Sequence, residues 1–133
     1  MRLTRLILPI AAAVTACGGS TEPRNVGLVG IWEAQIPATS GHRASVVQLV
    51  GAGGSGTAAV IVGGIDSTVY VSVSIVSAPD GPASITFSKG TSFVTHAAAP
   101  ILTVTGTRSQ STLNGTINGG VFVSEPITLR EVQ

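Results

Sequence analysis

Cysteine is almost missing from this 133-residue chain, and its single copy, Cys17, excludes an intramolecular disulfide and any metal site built from several thiolates. Charge is scarce too. Lys, Arg, Asp and Glu together make up 10% of the residues, and the five basic side chains beyond residue 16 (Arg24, Arg43, Lys89, Arg108 and Arg130) form no cluster. Aromatic residues make up 4%. A surface with neither clustered positive charge nor stacking platforms excludes nucleic acid as a partner. The only histidines are His42 and His96, and neither stands at a ligand-like spacing from Asp66, Asp80 or a glutamate, so no metal and no cofactor is expected. No apolar run approaches the roughly 20 residues that a membrane-crossing helix requires.

What the chain does have is Val, Ile and Ala mixed with Ser, Thr and 17 glycines, within a hydrophobic fraction of 44%. β-Branched residues favour pleated, half-buried strands, and glycine supplies tight reversals. From Gly30 onward apolar residues alternate with small or polar ones in short runs, the period-two pattern of strands. Eight runs stand out: Gly30–Ile36, Ala44–Val50, Gly56–Val62, Ser67–Ile75, Ala83–Ser88, Ile101–Arg108, Ser111–Ile117 and Ile127–Val132. Thr91–Thr95 extends the fifth or forms a short strand of its own, and Val121–Val123 is a candidate start for the last. In the clearest run, Val69, Val71, Val73 and Ile75 are expected on one face, with Thr68, Tyr70, Ser72 and Ser74 on the other. Pro79-Asp80-Gly81-Pro82 and Asn118-Gly119-Gly120 supply turn chemistry between runs. No segment beyond Cys17 sustains a helical apolar period. Strands joined by short reversals bury their apolar faces as a sandwich or by closing on themselves, and closure also removes exposed edges. The expectation is an all-β domain over residues 30–133: a single antiparallel meander of about eight strands, forming a small closed or partly open β-barrel.

The amino-terminal segment reads differently. Arg2 and Arg5 precede an apolar stretch from Leu6 to Ala13, too short for a finished membrane span but suited to the helix of a signal peptide. Val14-Thr15-Ala16-Cys17 follows. This tetrad resembles the lipobox of bacterial lipoproteins, in which an aliphatic and small residues precede a cysteine that receives a diacylglycerol before cleavage. The resemblance implies a signal peptide over 1–16, lipid and then acyl chains such as palmitate on Cys17, and a linker over 17–29. Several chains matter, because one alone gives only marginal membrane binding. Gly18 stands where an inner-membrane retention signal would place Asp, so the same resemblance implies a lipid-anchored protein of the bacterial cell envelope, at the outer membrane. The polar stretch Gly18–Gly27 suits a flexible stalk.

Gly30-Ile31-Trp32, opening the first strand, resembles the Gly-x-Trp entry of lipocalin-like barrels of the calycin type. That resemblance implies that an arginine near the end of the meander, here Arg130, stacks on Trp32 and closes one end. The pairing serves the fold and not catalysis.

Other motifs fail on context. Gly51-Ala52-Gly53-Gly54-Ser55-Gly56 matches a dinucleotide-binding fingerprint, but Thr57–Val62 is too short and β-branched to be the required helix, so a hairpin loop is expected. Ser55 lacks the second glycine of a nucleophile elbow, since Thr57 occupies that place, and no serine, histidine and carboxylate form a recognisable set. Glu33 is the one acid inside an early strand, directed to a cavity or to water. Asn114-Gly115-Thr116 has the form of a glycosylation acceptor but suits turn or bulge chemistry. The expected protein is therefore not an enzyme. It is a tethered barrel that binds a small apolar or amphipathic ligand inside or a partner protein of the envelope on its rim, or a filled interaction module or inhibitor. The small residues leave room for either interior.

Overall fold

A computed structural model describes residues 27–38 and 43–132 of the protein. Eight strands follow one another: β1 (Leu28–Ile36), β2 (Ser45–Gly53), β3 (Ser55–Val62), β4 (Asp66–Ser77), β5 (Asp80–Ser92), β6 (Leu102–Ser109), β7 (Thr112–Gly119) and β8 (Phe122–Val132). Each pairs antiparallel with its sequence neighbours, and β8 returns to β1 to close the barrel. The expected meander is present strand for strand, and the strands are mostly longer than the alternation suggested. The glycine-rich segment is the clearest case. The last pair between β2 and β3 is Gly51 with Gly56, so residues 52–55 make the expected hairpin turn, while Ala52 and Gly53 also pair with β1 and Ser55 with β4. Likewise Asp80-Gly81-Pro82 already pairs with β6, which leaves Ala78 and Pro79 as the turn.

Alternation places one apolar face inward. Trp32, Leu49, Ile85, Phe87, Leu113 and Leu129 have lost all or nearly all solvent exposure, and the described core draws on every strand. The outer wall is uneven. On β6 and β7 the outward residues are Thr103, Thr105, Thr107, Thr112, Asn114 and Thr116, whereas Val29, Ile31, Val50 and Val132 face out where β1 meets β2 and β8. An apolar interior with a hydroxyl-rich wall over several strands inverts the arrangement of a barrel surrounded by lipid.

Three irregularities reset the alternation. Between Gly56 and Ala58 the β3–β4 register shifts, so Val71 and Ser72 together oppose Thr57. Tyr70 therefore points inward and Val71 is 65% exposed, the reverse of the simple two-face expectation for this strand. Across the ladder β5 makes the same change at Ser88–Lys89, where Lys89 has φ of 55°. Tyr70 then faces Gly90, and a Cβ at Gly90 would stand 2.4 Å from its ring, so only glycine fits beneath it. In β8, Ser124 has φ of 47° and donates its backbone N–H to Asn118 Oδ1 at 2.8 Å, and beyond this bulge Glu125, Ile127 and Leu129 point inward.

The closing seam is short. β1 and β2 share nine residue pairs, but β1 and β8 share three: Ile31 with Val132, Trp32 with Glu131, and Glu33 with Arg130. Beyond them no further residue pair joins the two strands.

Candidate binding surface

The up-and-down order sorts the connections to two poles. Gly27, the turns at Gly54, Ala78–Pro79 and Gln110–Ser111, and the end of β8 lie at one, here the amino-terminal pole. The β1–β2 connection, the turns Gly63–Ile65 and Gly120–Val121, and the β5–β6 loop over residues 93–101 lie at the other, the far pole.

At the amino-terminal pole a guanidinium does cover Trp32, but it belongs to Arg108, whose Cζ is 5.1 Å from the ring centroid. Arg108 also donates from Nη1 to the Gly27 carbonyl at 3.0 Å and from Nε to the Gln110 carbonyl at 2.7 Å, while Trp32 Nε1 donates to the Val29 carbonyl at 3.1 Å. Arg130, the expected partner, is exposed on the outer face opposite Glu33. Parity explains the correction. Ile127 and Leu129 point inward, so Arg130 points out, whereas Arg108 shares its parity with the buried Leu102 and Val104. The signal was in the sequence, one strand pair earlier than the end of the meander.

Along the outside of the β1–β8 seam lies a groove of about 560 Å³, lined by Glu33, Gln35, Thr128, Arg130 and Glu131 with Ala34 and Val132. Glu33 faces this groove and water, and its Oε2 accepts a hydrogen bond from Gln48 Nε2 at 3.2 Å.

At the far pole Tyr70 plugs the barrel. Its hydroxyl donates to the Pro100 carbonyl at 2.8 Å, and its ring meets Phe87 edge-on at 5.6 Å. Burial pushes the Tyr70 phenol up to about 12, because a phenolate there would be cut off from water. Above it lies a shallow cleft of 140 Å³, lined by Val60, Asp66, Tyr70, Pro100, Leu102 and Phe122 among others. Around this cleft the connections present large apolar side chains to solvent: Ile65 (74% exposed), Phe93 (63%), Val94, Ile101, Val121 and Val123 (73%). Hydrogen bonds hold the longest of these connections in shape. The buried Ser92 hydroxyl donates to Asp66 Oδ1 at 3.0 Å and accepts the N–H groups of Val94 and Thr95 at 3.2 Å each. Phe93 N–H is fixed at 2.8 Å to the Ser67 carbonyl. These bonds hold Phe93 and Val94 outward. Sequence reasoning missed this pole, because an exposed Phe or Ile on a turn reads like a core residue.

The remaining candidate residues are dispersed. His96 is exposed on the β5–β6 loop, and Asn114 lies mid-strand, where its Oδ1 accepts from Thr128 Oγ1 at 2.8 Å. Among the described residues no group of three or more His, Cys, Asp or Glu comes together. Cys17, with Val14, Thr15 and Ala16, and His42 lie outside the described residues.

The fold is thus a small, closed, eight-stranded antiparallel barrel, compatible with the calycin type. No protein-family model matches the chain, and no curated protein or solved structure is significantly similar to it.

Proposed function

We propose that the protein is a lipid-anchored lipoprotein of the bacterial cell envelope, cleaved before Cys17 and tethered there to the outer membrane, and that its barrel is a non-catalytic interaction module. The observation that carries the second half is the pairing of a filled interior with an uncovered apolar pole. Trp32, Tyr70, Phe87 and their neighbours occupy the space that a ligand-holding barrel leaves open. The far-pole cleft of 140 Å³ falls short of the roughly 300 Å³ at which small-molecule pockets begin. Large apolar side chains exposed together at one end, by contrast, mark a surface used for association. The resemblance of Val14-Thr15-Ala16-Cys17 to a lipobox supports the first half.

Intact mass of the protein extracted from bacterial membranes tests the anchor. The native chain is expected to begin at Cys17 with added acyl mass, and Cys17→Ser to lack it; an unacylated native chain removes the anchor. Titration with a fatty acid tests the barrel. Saturable one-to-one binding that changes the emission of Trp32, the only tryptophan, would replace the interaction module with a container.

A further inference from the structure

The partner of the far pole follows from its shape and from the length of the tether. We infer that the far pole inserts its apolar tips into the surface of the bilayer that carries the lipid on Cys17, an inference that rests on the anchored reading above.

Three observations lead there. The six exposed side chains sit on separate projections around the cleft: Ile65 on one turn, Phe93, Val94 and Ile101 on the long loop, and Val121 and Val123 at the start of β8. The boundary between headgroups and acyl chains moulds around separate tips of this kind. Next, the tips themselves carry no charge. Among the described residues the charged groups of this end are Arg43, exposed and beside Gly63, and Asp66, which is held by Ser92; Glu125 is buried within the barrel and Lys89 lies on the outer wall below the loop. His96 is exposed on the same loop. Arg43 suits an anionic headgroup, and the others stand clear of the tips. Finally, nine residues lie between Cys17 and Gly27, and the ten steps from one to the other span at most about 35 Å when extended. Tilted strands of this length make a barrel roughly 25–35 Å from pole to pole. The tether reaches far enough for the domain to turn its far pole onto its own membrane. Once anchored, that contact is intramolecular, so weak insertion suffices.

The single cysteine makes the test direct. In the lipidated chain Cys17 is blocked, so Phe93→Cys and, at the opposite pole, Ser109→Cys each introduce one reactive thiol for an environment-sensitive fluorophore. Both positions are exposed, so neither substitution disturbs the core. The labelled chains are reconstituted in vesicles of phosphatidylethanolamine and phosphatidylglycerol and quenched with iodide. The expected result is a blue shift and several-fold weaker quenching at position 93, with position 109 as accessible as in water. Equal quenching at both positions, or protection at 109 alone, overturns the inference. Protection at 93 that arises without vesicles and grows with protein concentration assigns the pole to a second copy of the chain and also overturns it. The acyl mass is read on the same samples. If it is missing, the Cys17→Ser chain is held on vesicles containing nickel-chelating lipid by a hexahistidine placed ahead of residue 17, and the same probes then read the pole at the same tethered concentration, so loss of the acyl anchor and loss of the insertion give different results.

Discussion

Arg108 gathers three roles in one side chain: it covers Trp32, caps the Gly27 carbonyl and fixes the β6–β7 turn through Gln110. Its truncation removes a cation–π contact of about 0.5–2 kcal/mol and leaves two carbonyls without their donor. Arg108→Ala is expected to lower stability by roughly 2–3 kcal/mol and to shift the emission of Trp32. Arg130→Ala, on the exposed outer face, is expected to stay within about 0.5 kcal/mol. Urea unfolding followed by tryptophan fluorescence compares the two, and a larger loss for Arg130 would reverse the assignment. Tyr70, the only tyrosine, gives the second expectation at this scale. The folded protein keeps its phenol protonated up to about pH 12, while the unfolded chain releases the proton near 10. The unfolded state therefore binds fewer protons between these values, and stability present below pH 10 falls as the pH approaches 12, by up to about 3 kcal/mol. Tyrosinate absorbance reads this group alone. Titration near 10 in the folded protein would contradict its burial, and Tyr70→Phe is expected to abolish this part of the alkaline loss.

Among the elements, the seam between β1 and β8 is the weakest join, since three residue pairs close it against nine between β1 and β2. Past these three pairs, residues 34–36 keep their ladder to β2 and residues 126–129 keep theirs to β7, while their backbone groups on the seam side have no residue pair across it. Hydrogen exchange should then be faster in peptides covering residues 34–36 and 126–129 than in those covering 46–50. Equal protection would mean that the barrel closes along its full height. The elements were legible in the sequence to different degrees. Leu102–Ser109 alternates cleanly from Leu102 to Thr105, and its inward residues there can be read off directly, whereas in Ser45–Gly53 Val46 and Val50 stand outward beside inward Val47 and Leu49. Asp66–Ser77 cannot be read this way, because Val71 and Ser72 both turn outward at a bulge and nothing in Tyr-Val-Ser-Val marks which residue slips. The tryptophan's partner was legible by parity and was obscured by a resemblance that favoured the last strand. The apolar tips were not legible, because exposure of Phe93 or Ile65 is decided by where the ladders end and not by residue type.

Over the whole molecule the two poles have opposite characters. One carries Gly27, and so the path back to Cys17, together with Arg108, Glu131 and the closing ladder. The other carries the Tyr70 plug and the ring of uncovered aliphatic and aromatic tips. On the proposed reading this polarity gives a tethered module a defined working end, and it separates the residues that maintain the barrel from those that meet a partner. Substitutions at Ile65, Phe93 or Val121 are surface changes by geometry, and on that reading their effects belong to association.

The three-pair seam also bears on how the protein is made. Every other ladder joins strands adjacent in sequence, which lets hairpins form as soon as the chain is available. The joining of Ile31 to Val132 spans about a hundred residues, and its loop-closure cost falls at the very end. A chain emitted from residue 1 onward, from a ribosome or through a secretion pore, cannot close its barrel until the last strand has emerged. Until then it remains an open ribbon of hairpins, a form that can still be threaded.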